Sequence, residues 1–379
     1  MIRLAAPDLD EHDFAAVADV LRTGFLVQGR EVEAFELRIR ELTGTAHAIA
    51  VSSCTAALHL GLLALQIAPG DLVAVTAYSW PASANVIALS GAMPVFVDID
   101  ARTFNMDPGS LDRAMRVARG IRAIMPVHAF GGMAAMAEIK AIASRYEVPI
   151  IEDAACAMGA VFGGRAAGTW GDVGCYSFHP RKLVTTGEGG VVITESPDIA
   201  ARIRSLRNHG QAPNTPRADF VLPGFNYRLT EFQAALGRTQ LGKLERIIAV
   251  RRQLARQYDA WLSESGVVTP ASLEGSAHTY QSYVLLLPLS APGQRDRVMT
   301  LLKQRGIETS IGTHHLPLTT YWRRELGCKE GDFPVTDDVA ARALTLPLHT
   351  GLSTEDQRTV VEELKAALHE VRSAGGARG

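Results

Sequence analysis

Hydrophobic positions in the first 195 residues alternate between helical and strand spacing. After Asp10, which can cap a helix, Phe14, Val17 and Leu21 recur at helical spacing, and Gly24 follows as a terminator. Further along, runs that are apolar on both faces alternate with helical patterns, which predicts an α/β fold with a large, mostly parallel sheet covered by helices. The predicted strands cover residues 46–51, 72–75, 95–97, 123–127, 148–152, 174–178 and 190–194, and the helices between them cover 81–89, 111–117 and 136–145.

The pattern changes after about residue 195. A long helical pattern is predicted to begin near Arg228 and to continue toward Trp261. A strand at 283–287, a helix at 295–305 and a final amphipathic helix follow, before a Gly/Ala/Arg tail that we expect to be disordered.

A chain of 379 residues usually exceeds one compact unit, so we expect two domains. The boundary is predicted near residue 250, within or just after the long helix. It gives a large domain at 1–250 and a smaller C-terminal α/β domain at 251–379.

Charge and composition narrow the class of protein. With 38 Lys+Arg against 40 Asp+Glu, the net charge is -2, which argues against nucleic acid or a membrane surface as a partner. No uninterrupted apolar run reaches roughly 18 residues, so no membrane-spanning helix is predicted. The first residues turn acidic too soon for a secretion signal. The four cysteines are far apart and predict reduced thiols and a cytoplasmic location.

Three segments carry candidate chemistry. Asp153 stands at the exit of a buried strand, where ligands collect in open parallel sheets, although it could instead cap a helix. Lys182 follows another buried strand by a few residues, and a solvated surface lysine is the alternative. The glycine-rich turn at 185–190 could allow close backbone approach to an anion or could simply form a loop. Simple nucleotide-binding fingerprints are absent.

The order of these segments matches pyridoxal phosphate chemistry. The ring nitrogen of that cofactor needs a carboxylate partner, which Asp153 can supply, and its aldehyde needs a lysine amine, which Lys182 can supply. Its phosphate needs backbone N–H groups and hydroxyls, and the helix predicted after Ser53 provides them.

A set of segments spread from residue 7 to residue 368 carries a joint signature. The segments are 24–29, 52–58, 94–100, 126–128, 152–155, 177–182, 186–190 and 225–228. Together they resemble the sugar aminotransferase (DegT-type) family of fold-type-I pyridoxal phosphate enzymes, in the aspartate-aminotransferase superfamily. The resemblance implies an aspartate-aminotransferase-like fold and a homodimer with shared active sites.

The resemblance also implies roles for single residues. Lys182 matches the family's Schiff-base lysine, which also moves the substrate proton, and Asp153 matches the carboxylate beneath the pyridine nitrogen. Thr55, with its neighbours Cys54 and Ala56, matches the phosphate cradle.

Further positions match the family around this centre. Ser177 belongs to the phosphate cradle, and Trp80 matches the aromatic residue that stacks on the cofactor ring. Asn226 matches a residue that reaches the phosphate of the neighbouring subunit, and Arg228 matches a position that supports that interface or the donor carboxylate. Cys156 departs from the pattern, because many members have Gln or His there, beside the ring oxygen of the cofactor.

The reaction implied is transfer of an amino group from L-glutamate, or glutamine, to a nucleotide-linked keto sugar. It belongs to deoxyamino sugar biosynthesis for polysaccharides or antibiotics. A pyridoxal phosphate-dependent sugar dehydratase and a cyclitol (inosose) aminotransferase are alternatives, but dehydratase relatives have histidine where this chain has Lys182. A non-catalytic regulatory protein of the same fold is disfavoured, because Lys182 and Asp153 are both present.

The remaining polar clusters predict no additional site. His128, His179, His314 and His315 have no spacing typical of metal ligands, so no metal is predicted. We interpret His128 as a structural turn residue, while His314 and His315 could contact the sugar or lie on the surface. The arginines at 202–207 are interpreted as ordinary helix surface.

Overall fold

The structure is a computed structural model that describes residues 1–212, 217–288 and 291–376, with side chains up to residue 373. The end of the predicted disordered tail lies outside these residues. The helices are α1 (Glu11–Thr23), α2 (Arg30–Thr43), α3 (Cys54–Ala64), α4 (Ala82–Leu89), α5 (Pro108–Val117), α6 (Met136–Tyr146), α7 (Pro197–Arg207), α8 (Glu231–Gly242), α9 (Leu244–Leu262), α10 (Gln294–Gln304), α11 (Thr320–Leu326), α12 (Pro334–Arg342) and α13 (Thr354–Gly376).

The strands include the buried runs predicted from the sequence and several two-residue strands that the sequence pattern does not reveal. They are β1 (His47–Val51), β2 (Leu72–Thr76), β3 (Tyr78–Ser79), β4 (Met93–Val97), β5 (Ile121–Met125), β6 (Ile151–Asp153), β7 (Val161–Phe162), β8 (Arg165–Ala166), β9 (Val173–Ser177), β10 (Gly190–Thr194), β11 (Ser276–Ala277), β12 (Tyr283–Leu286), β13 (His314–His315) and β14 (Ala343–Leu346).

The central sheet has the strand order β4-β2-β5-β6-β9-β10-β1. A parallel bridge between Ile124 and Ile150 joins the β4-β2-β5 part to the rest. Among these strands β10 runs antiparallel to both of its neighbours, and the other pairings are parallel. The prediction of a mostly parallel sheet is therefore confirmed. The carboxyl ends of its parallel strands share one edge.

Capping residues set the helix boundaries. Asp10 caps α1 by accepting from the backbone of His12 and Asp13, and Gly24 ends it in the left-handed region with φ 69°. The helix predicted to start near Arg228 instead begins at Glu231, because the Thr230 hydroxyl and the Gln233 side chain form a capping box there.

The C-terminal part has its own apolar core. Helices α9, α10 and α13 pack around the antiparallel pair β12–β14, and Tyr258 and Tyr283 lie fully buried among them. The predicted boundary at residue 250 falls inside α9. The first turns of that helix pack on the large sheet through Leu244 and Ile247, and later turns pack on the C-terminal core from Leu254 onward. The division into 1–250 and 251–379 stays a prediction.

No helix within residues 1–212, 217–288 and 291–376 is both long enough and apolar enough to cross a membrane.

Candidate active site

Asp153 occupies the carboxyl end of β6, in the middle of the central sheet. It is 4% exposed and lies opposite Cys175 of β9. The carboxylate accepts a hydrogen bond from the Ser83 hydroxyl at 2.7 Å and another from the backbone N–H of Ala155 at 3.2 Å. The strand therefore delivers a buried, oriented carboxylate to the edge where sequence analysis places the site.

Lys182 reaches the same edge from the turn that follows β9. Its Nζ atom donates to the Sγ atom of Cys156 at 3.1 Å. Burial lowers the pKa of Lys182, but the nearby Cys156, Cys54 and Asp153 together outweigh burial, so the pKa is raised above its usual 10.5. The structure thus places the amine, both cysteines and the carboxylate in one electrostatically coupled group.

The N-terminus of α3 offers unpaired backbone donors. Ser53 caps the helix by accepting from Ala56 N–H at 3.1 Å. The N–H groups of Cys54 and Thr55 make no hydrogen bond within the described residues, and the Thr55 side chain is exposed. Free N–H groups at a helix start are suited to binding a phosphate.

Gly190 brings Ser177 to this helix end. A Cβ atom at Gly190 would lie 2.5 Å from the carbonyl carbon of Ser53 and 2.6 Å from the nitrogen of Cys54. Gly190 is also the partner of Ser177 across β10 and β9. The sequence left open whether this turn approaches an anion or simply forms a loop. In the structure, the glycine allows a strand to pack directly against the first turn of α3.

The Cys54 thiol lies inside the group and is 8% exposed. Burial, followed by the charge of Asp153, raises the pKa of this thiol well above its usual 9.0. The part of Cys54 that faces the helix end is its backbone N–H, which has no hydrogen-bond partner among the described residues.

Trp80 directly follows β3 and precedes α4, whose Ser83 contacts Asp153. Its side chain is 63% exposed, and the centroid of its ring lies 5.3 Å from that of His314. An exposed ring on a segment anchored to Asp153 is available to stack on a planar ligand. Its partner His314 is on β13, which pairs with β3.

Asn226 and Arg228 alternate with two aromatic residues. The rings of Phe225 and Tyr227 stack with centroids 4.8 Å apart, and the Tyr227 hydroxyl lies 3.4 Å from Nδ1 of His59 in α3. Because side chains alternate along an extended segment, Asn226 and Arg228 face away from this cluster. Asn226 is exposed.

The same segment is held beside the start of α3. Ser52 N–H donates to the Tyr227 carbonyl at 2.8 Å, and Arg228 pairs with Val51 of β1. The Arg228 guanidinium donates to Asn208 Oδ1 at 2.6 Å. Arg228 is thus held by contacts within its own chain, next to the start of α3 that could bind a phosphate.

Glu152 is a buried carboxylate next to Asp153 that the sequence reading did not single out. It is fully buried and accepts from the N–H groups of Gly168, Trp170 and Gly171 at 2.8, 2.6 and 2.6 Å. His128, also fully buried, contacts it at 2.8 Å through Nε2.

The hydrogen bonds define the tautomer of His128. Ala134 N–H donates to Nδ1 at 3.1 Å, so Nδ1 carries no proton and Nε2 donates to Glu152. The interpretation of His128 as a structural turn residue agrees with this geometry. Side chains alternate along β6, so Glu152 and Asp153 lie on opposite faces of the sheet. Glu152 therefore stabilises the surrounding loop, and Asp153 faces the candidate site. Two adjacent acidic residues ending a buried strand are the sequence signal for such a division.

The residues present fit pyridoxal phosphate. A buried carboxylate, an amine at the same sheet edge and unpaired N–H groups at a helix start supply the three kinds of partner that this cofactor needs. Within the described part of the chain, no group of three or more His, Cys, Asp and Glu side chains could hold a metal ion.

Comparison with protein families gives a match along nearly the whole chain. Residues 7–365 match the model of the DegT/DnrJ/EryC1/StrS aminotransferase family. The chain belongs to the DegT/DnrJ/EryC1/StrS aminotransferase family. The resemblance stated from sequence motifs is confirmed, and so is the prediction of a pyridoxal phosphate-dependent aminotransferase.

Individual relatives agree with this assignment. The aminotransferase is 36% identical over 370 residues to GDP-perosamine synthase of Caulobacter vibrioides, covering 97% of this chain and 98% of that one. It is 32% identical to the aminotransferase TlmJ of Streptoalloteichus hindustanus, with a TM-score of 0.91 and coverage of 98% and 100% of the two chains.

A third relative bears on the cofactor. Spr1654 of Streptococcus pneumoniae, assigned as a sugar aminotransferase, has been solved in a PMP form and in a PLP form. In the PMP form it is 28% identical to this aminotransferase, with a TM-score of 0.94 over 99% of both chains. The predicted fold-type-I architecture and the predicted cofactor, pyridoxal 5'-phosphate, are therefore confirmed.

Proposed function

We propose that this aminotransferase transfers an amino group from L-glutamate, or from glutamine, to a nucleotide-linked keto sugar. The observation that carries the proposal is the coupled group of Lys182, Cys156 and Asp153 at the sheet edge. The similarity to GDP-perosamine synthase over nearly the full length supports the sugar substrate. It also supports a role in the synthesis of deoxyamino sugars.

Residues on both sides of the sheet edge would hold the cofactor. The N–H groups of Cys54 and Thr55 would bind the phosphate together with Ser177, whereas the predicted contact from Ala56 N–H competes with its hydrogen bond to Ser53 Oγ. The exposed ring of Trp80 would cover one face of the cofactor ring. Asp153 would pair with the protonated ring nitrogen. When bound, pyridoxal phosphate supplies an aldehyde for attachment to an amine and a ring that accepts electrons.

Lys182 acts as acid and base in this proposal. The Nζ atom would take a proton from the α-carbon of the donor and would return a proton to the product during the second half-reaction. The Cys156 sulfur, 3.1 Å away, holds Nζ next to the site. The burial of Asp153 keeps water away from the carboxylate that stabilises the positive ring nitrogen.

We also propose a homodimer in which Asn226 reaches the phosphate in the partner subunit and Arg228 supports that contact. Large apolar side chains are exposed on α1, on the residues just after it and shortly before Asn226 in the sequence, which a surface normally avoids unless it binds a partner. They are Phe14, Leu21, Phe25, Leu26, Val27, Phe220 and Val221. Four free cysteines support the proposal that the enzyme works in the reducing cytoplasm.

The proposed function is tested by following the amino nitrogen of the donor into the product. The enzyme is incubated with ¹⁵N-labelled L-glutamate, or labelled glutamine, together with a panel of nucleotide-linked keto sugars and an inosose, and mass spectra of the products are recorded. Label in an amino sugar, absent with Lys182→Ala, supports the proposal. A dehydrated sugar without label, or label only in a cyclitol, contradicts it and identifies one of the alternative reactions.

A further inference from the structure

Two serine hydroxyls form a buried chain that ends on Asp153. The Oγ atoms of Ser79 and Ser83 lie 2.9 Å apart, and Ser83 Oγ lies 2.7 Å from Asp153 Oδ2. Ser83 is fully buried, and Ser79 is 3% exposed. The chain lies next to the position proposed for the cofactor ring and has no role in the function described so far.

The direction of the hydrogen bonds follows from the end of the chain. An ionised carboxylate can only accept, so the Ser83 hydroxyl donates to Asp153 Oδ2. A hydroxyl has one proton to give, and therefore Ser79 donates to Ser83. Asp153 Oδ1 accepts separately from Ala155 N–H at 3.2 Å. Within the part of the chain that the structure describes, each carboxylate oxygen thus has one protein donor, and together these donors restrain the plane of the carboxylate.

Ser83 is the second residue of α4, so no helical turn precedes it, and the carbonyl four residues earlier belongs to Ser79 of β3. A serine further along a helix commonly satisfies its hydroxyl by bonding the carbonyl four residues earlier. Ser90 shows this behaviour, because its Oγ donates to the Val86 carbonyl at 2.9 Å. In Ser83 the hydroxyl proton is directed at a carboxylate instead, through a bond to a charged group, which is stronger than a neutral one.

The Ser79 end of this hydrogen-bonded chain is held in place by the C-terminal part of the protein. Ser79 lies on β3, where it pairs with His314 of β13. The neighbouring Tyr78 is fully buried, and its hydroxyl accepts from Thr313 N–H at 3.1 Å. Strand β13 therefore sets the position of Ser79, and Ser79 sets the rotation of the Ser83 hydroxyl.

We propose that Ser83 is a positioning residue for amino transfer, which holds the Asp153 carboxylate in line with the ring nitrogen while Ser79 orients the Ser83 hydroxyl. The inference rests on the proposed role of Asp153 at that nitrogen. A carboxylate that can rotate supports the protonated nitrogen less well, which slows proton removal from the bound donor. Donor binding does not depend on this contact.

The test compares variants of the pyridoxal phosphate-loaded enzyme, Ser83→Ala, Ser83→Thr, Ser79→Ala and the control Ser90→Ala. With L-glutamate as donor and, as acceptor, the keto sugar that takes up its nitrogen in the labelling test, Ser83→Ala is expected to lower kcat by about tenfold to a hundredfold with little change in the KM for glutamate, as loss of a charge-assisted hydrogen bond predicts. Ser79→Ala is expected to lower it only a few-fold. Ser83→Thr keeps the hydroxyl and restores activity.

A spectroscopic measurement separates positioning from general damage to the fold. Cofactor labelled with ¹⁵N in the ring reports its protonation by NMR. We expect Ser83→Ala to shift this signal toward the unprotonated position, and Ser90→Ala to leave it unchanged. An unchanged signal and an unchanged kcat in Ser83→Ala would overturn the inference. If Ser83→Ala does not fold, wild-type values in Ser79→Ala overturn it instead.

The variant Asp153→Asn distinguishes a failure of this inference from a failure of the proposed role of Asp153. If Asp153→Asn retains wild-type turnover and a wild-type ring signal, the proposed role of Asp153 fails and the inference fails with it. If Asp153→Asn abolishes turnover while Ser83→Ala and Ser79→Ala behave like Ser90→Ala, only the positioning role is wrong.

Discussion

The Nζ atom of Lys182 lies 3.1 Å from the Sγ atom of Cys156. Together with Cys54 and Asp153, this contact raises the pKa of the lysine although burial alone would lower it. An amine that remains an ammonium at neutral pH cannot attack an aldehyde. The cofactor-free enzyme should therefore attach its cofactor slowly near neutral pH and faster as the pH rises.

Cys156→Ala should accelerate that attachment. Removing the sulfur takes away the nearest group that raises the pKa of Lys182, so this pKa falls and more of the amine is neutral, about tenfold more for each unit of pKa. The measurement is the absorbance change after pyridoxal phosphate is added to cofactor-free enzyme over a range of pH. Cys328→Ala, a cysteine far along the chain, is the control. Equal rates in the two variants contradict the proposed effect of the sulfur.

Gly190→Ala should weaken cofactor binding. A Cβ atom there would lie 2.5 Å from the backbone of Ser53, so the start of α3 must move away from Ser177. We expect the Kd for pyridoxal phosphate to increase by about tenfold or more, equivalent to roughly 1.4 kcal/mol. Titration followed by fluorescence measures it. In Gly242→Ala, the new methyl group has open space, and wild-type affinity is expected there.

Glu152→Gln should destabilise the fold. The amide nitrogen of glutamine would face N–H donors where the carboxylate now accepts from Gly168, Trp170 and Gly171. An unsatisfied group in this buried position costs about 3 kcal/mol in the free energy of unfolding. Urea denaturation measures the loss. The exposed Glu138→Gln on α6 should unfold like the wild type, and similar midpoints for both variants would argue against the role assigned to Glu152.

Most of the sheet was predictable because its buried strands are short apolar runs between helical patterns. The two-residue strands β3 and β13 were not, since they pair between distant parts of the chain, with Ser79 opposite His314, and have no periodicity of their own. Asp153 and Lys182 could be placed because each follows a buried strand. Ser83 could not, because a serine in a helix has no sequence feature that reveals a carboxylate beside it.

Other differences arise from contacts between distant residues. The arginines at 202–207 were predicted to be surface residues, which is wrong for Arg207. It is 7% exposed and forms an ion pair with Glu36 at 2.8 Å. Conversely, Phe14 and Leu21 lie on a helix that is predicted correctly, yet they are 54% and 53% exposed. Periodicity identifies the apolar positions of a helix but does not identify what covers them.

Mixing two inactive variants tests the shared active site. Lys182→Ala removes the reactive amine, and Asn226→Asp places a negative charge where Asn226 would meet the partner's phosphate. If each site combines Lys182 from one subunit with Asn226 from the other, a mixed dimer contains one site without either defect. Random exchange should then restore about one quarter of the sites. Activity assays after subunit exchange measure this, and no recovery in verified mixed dimers contradicts the shared site.

The most direct measurement for the whole account is reduction of the pyridoxal phosphate-loaded enzyme with borohydride, followed by peptide mass spectrometry. The account predicts that the cofactor becomes fixed to the peptide that contains Lys182, and that Lys182→Ala shows neither this adduct nor turnover. Cofactor fixed to another residue, such as the exposed Lys140, or full activity in Lys182→Ala, would contradict it.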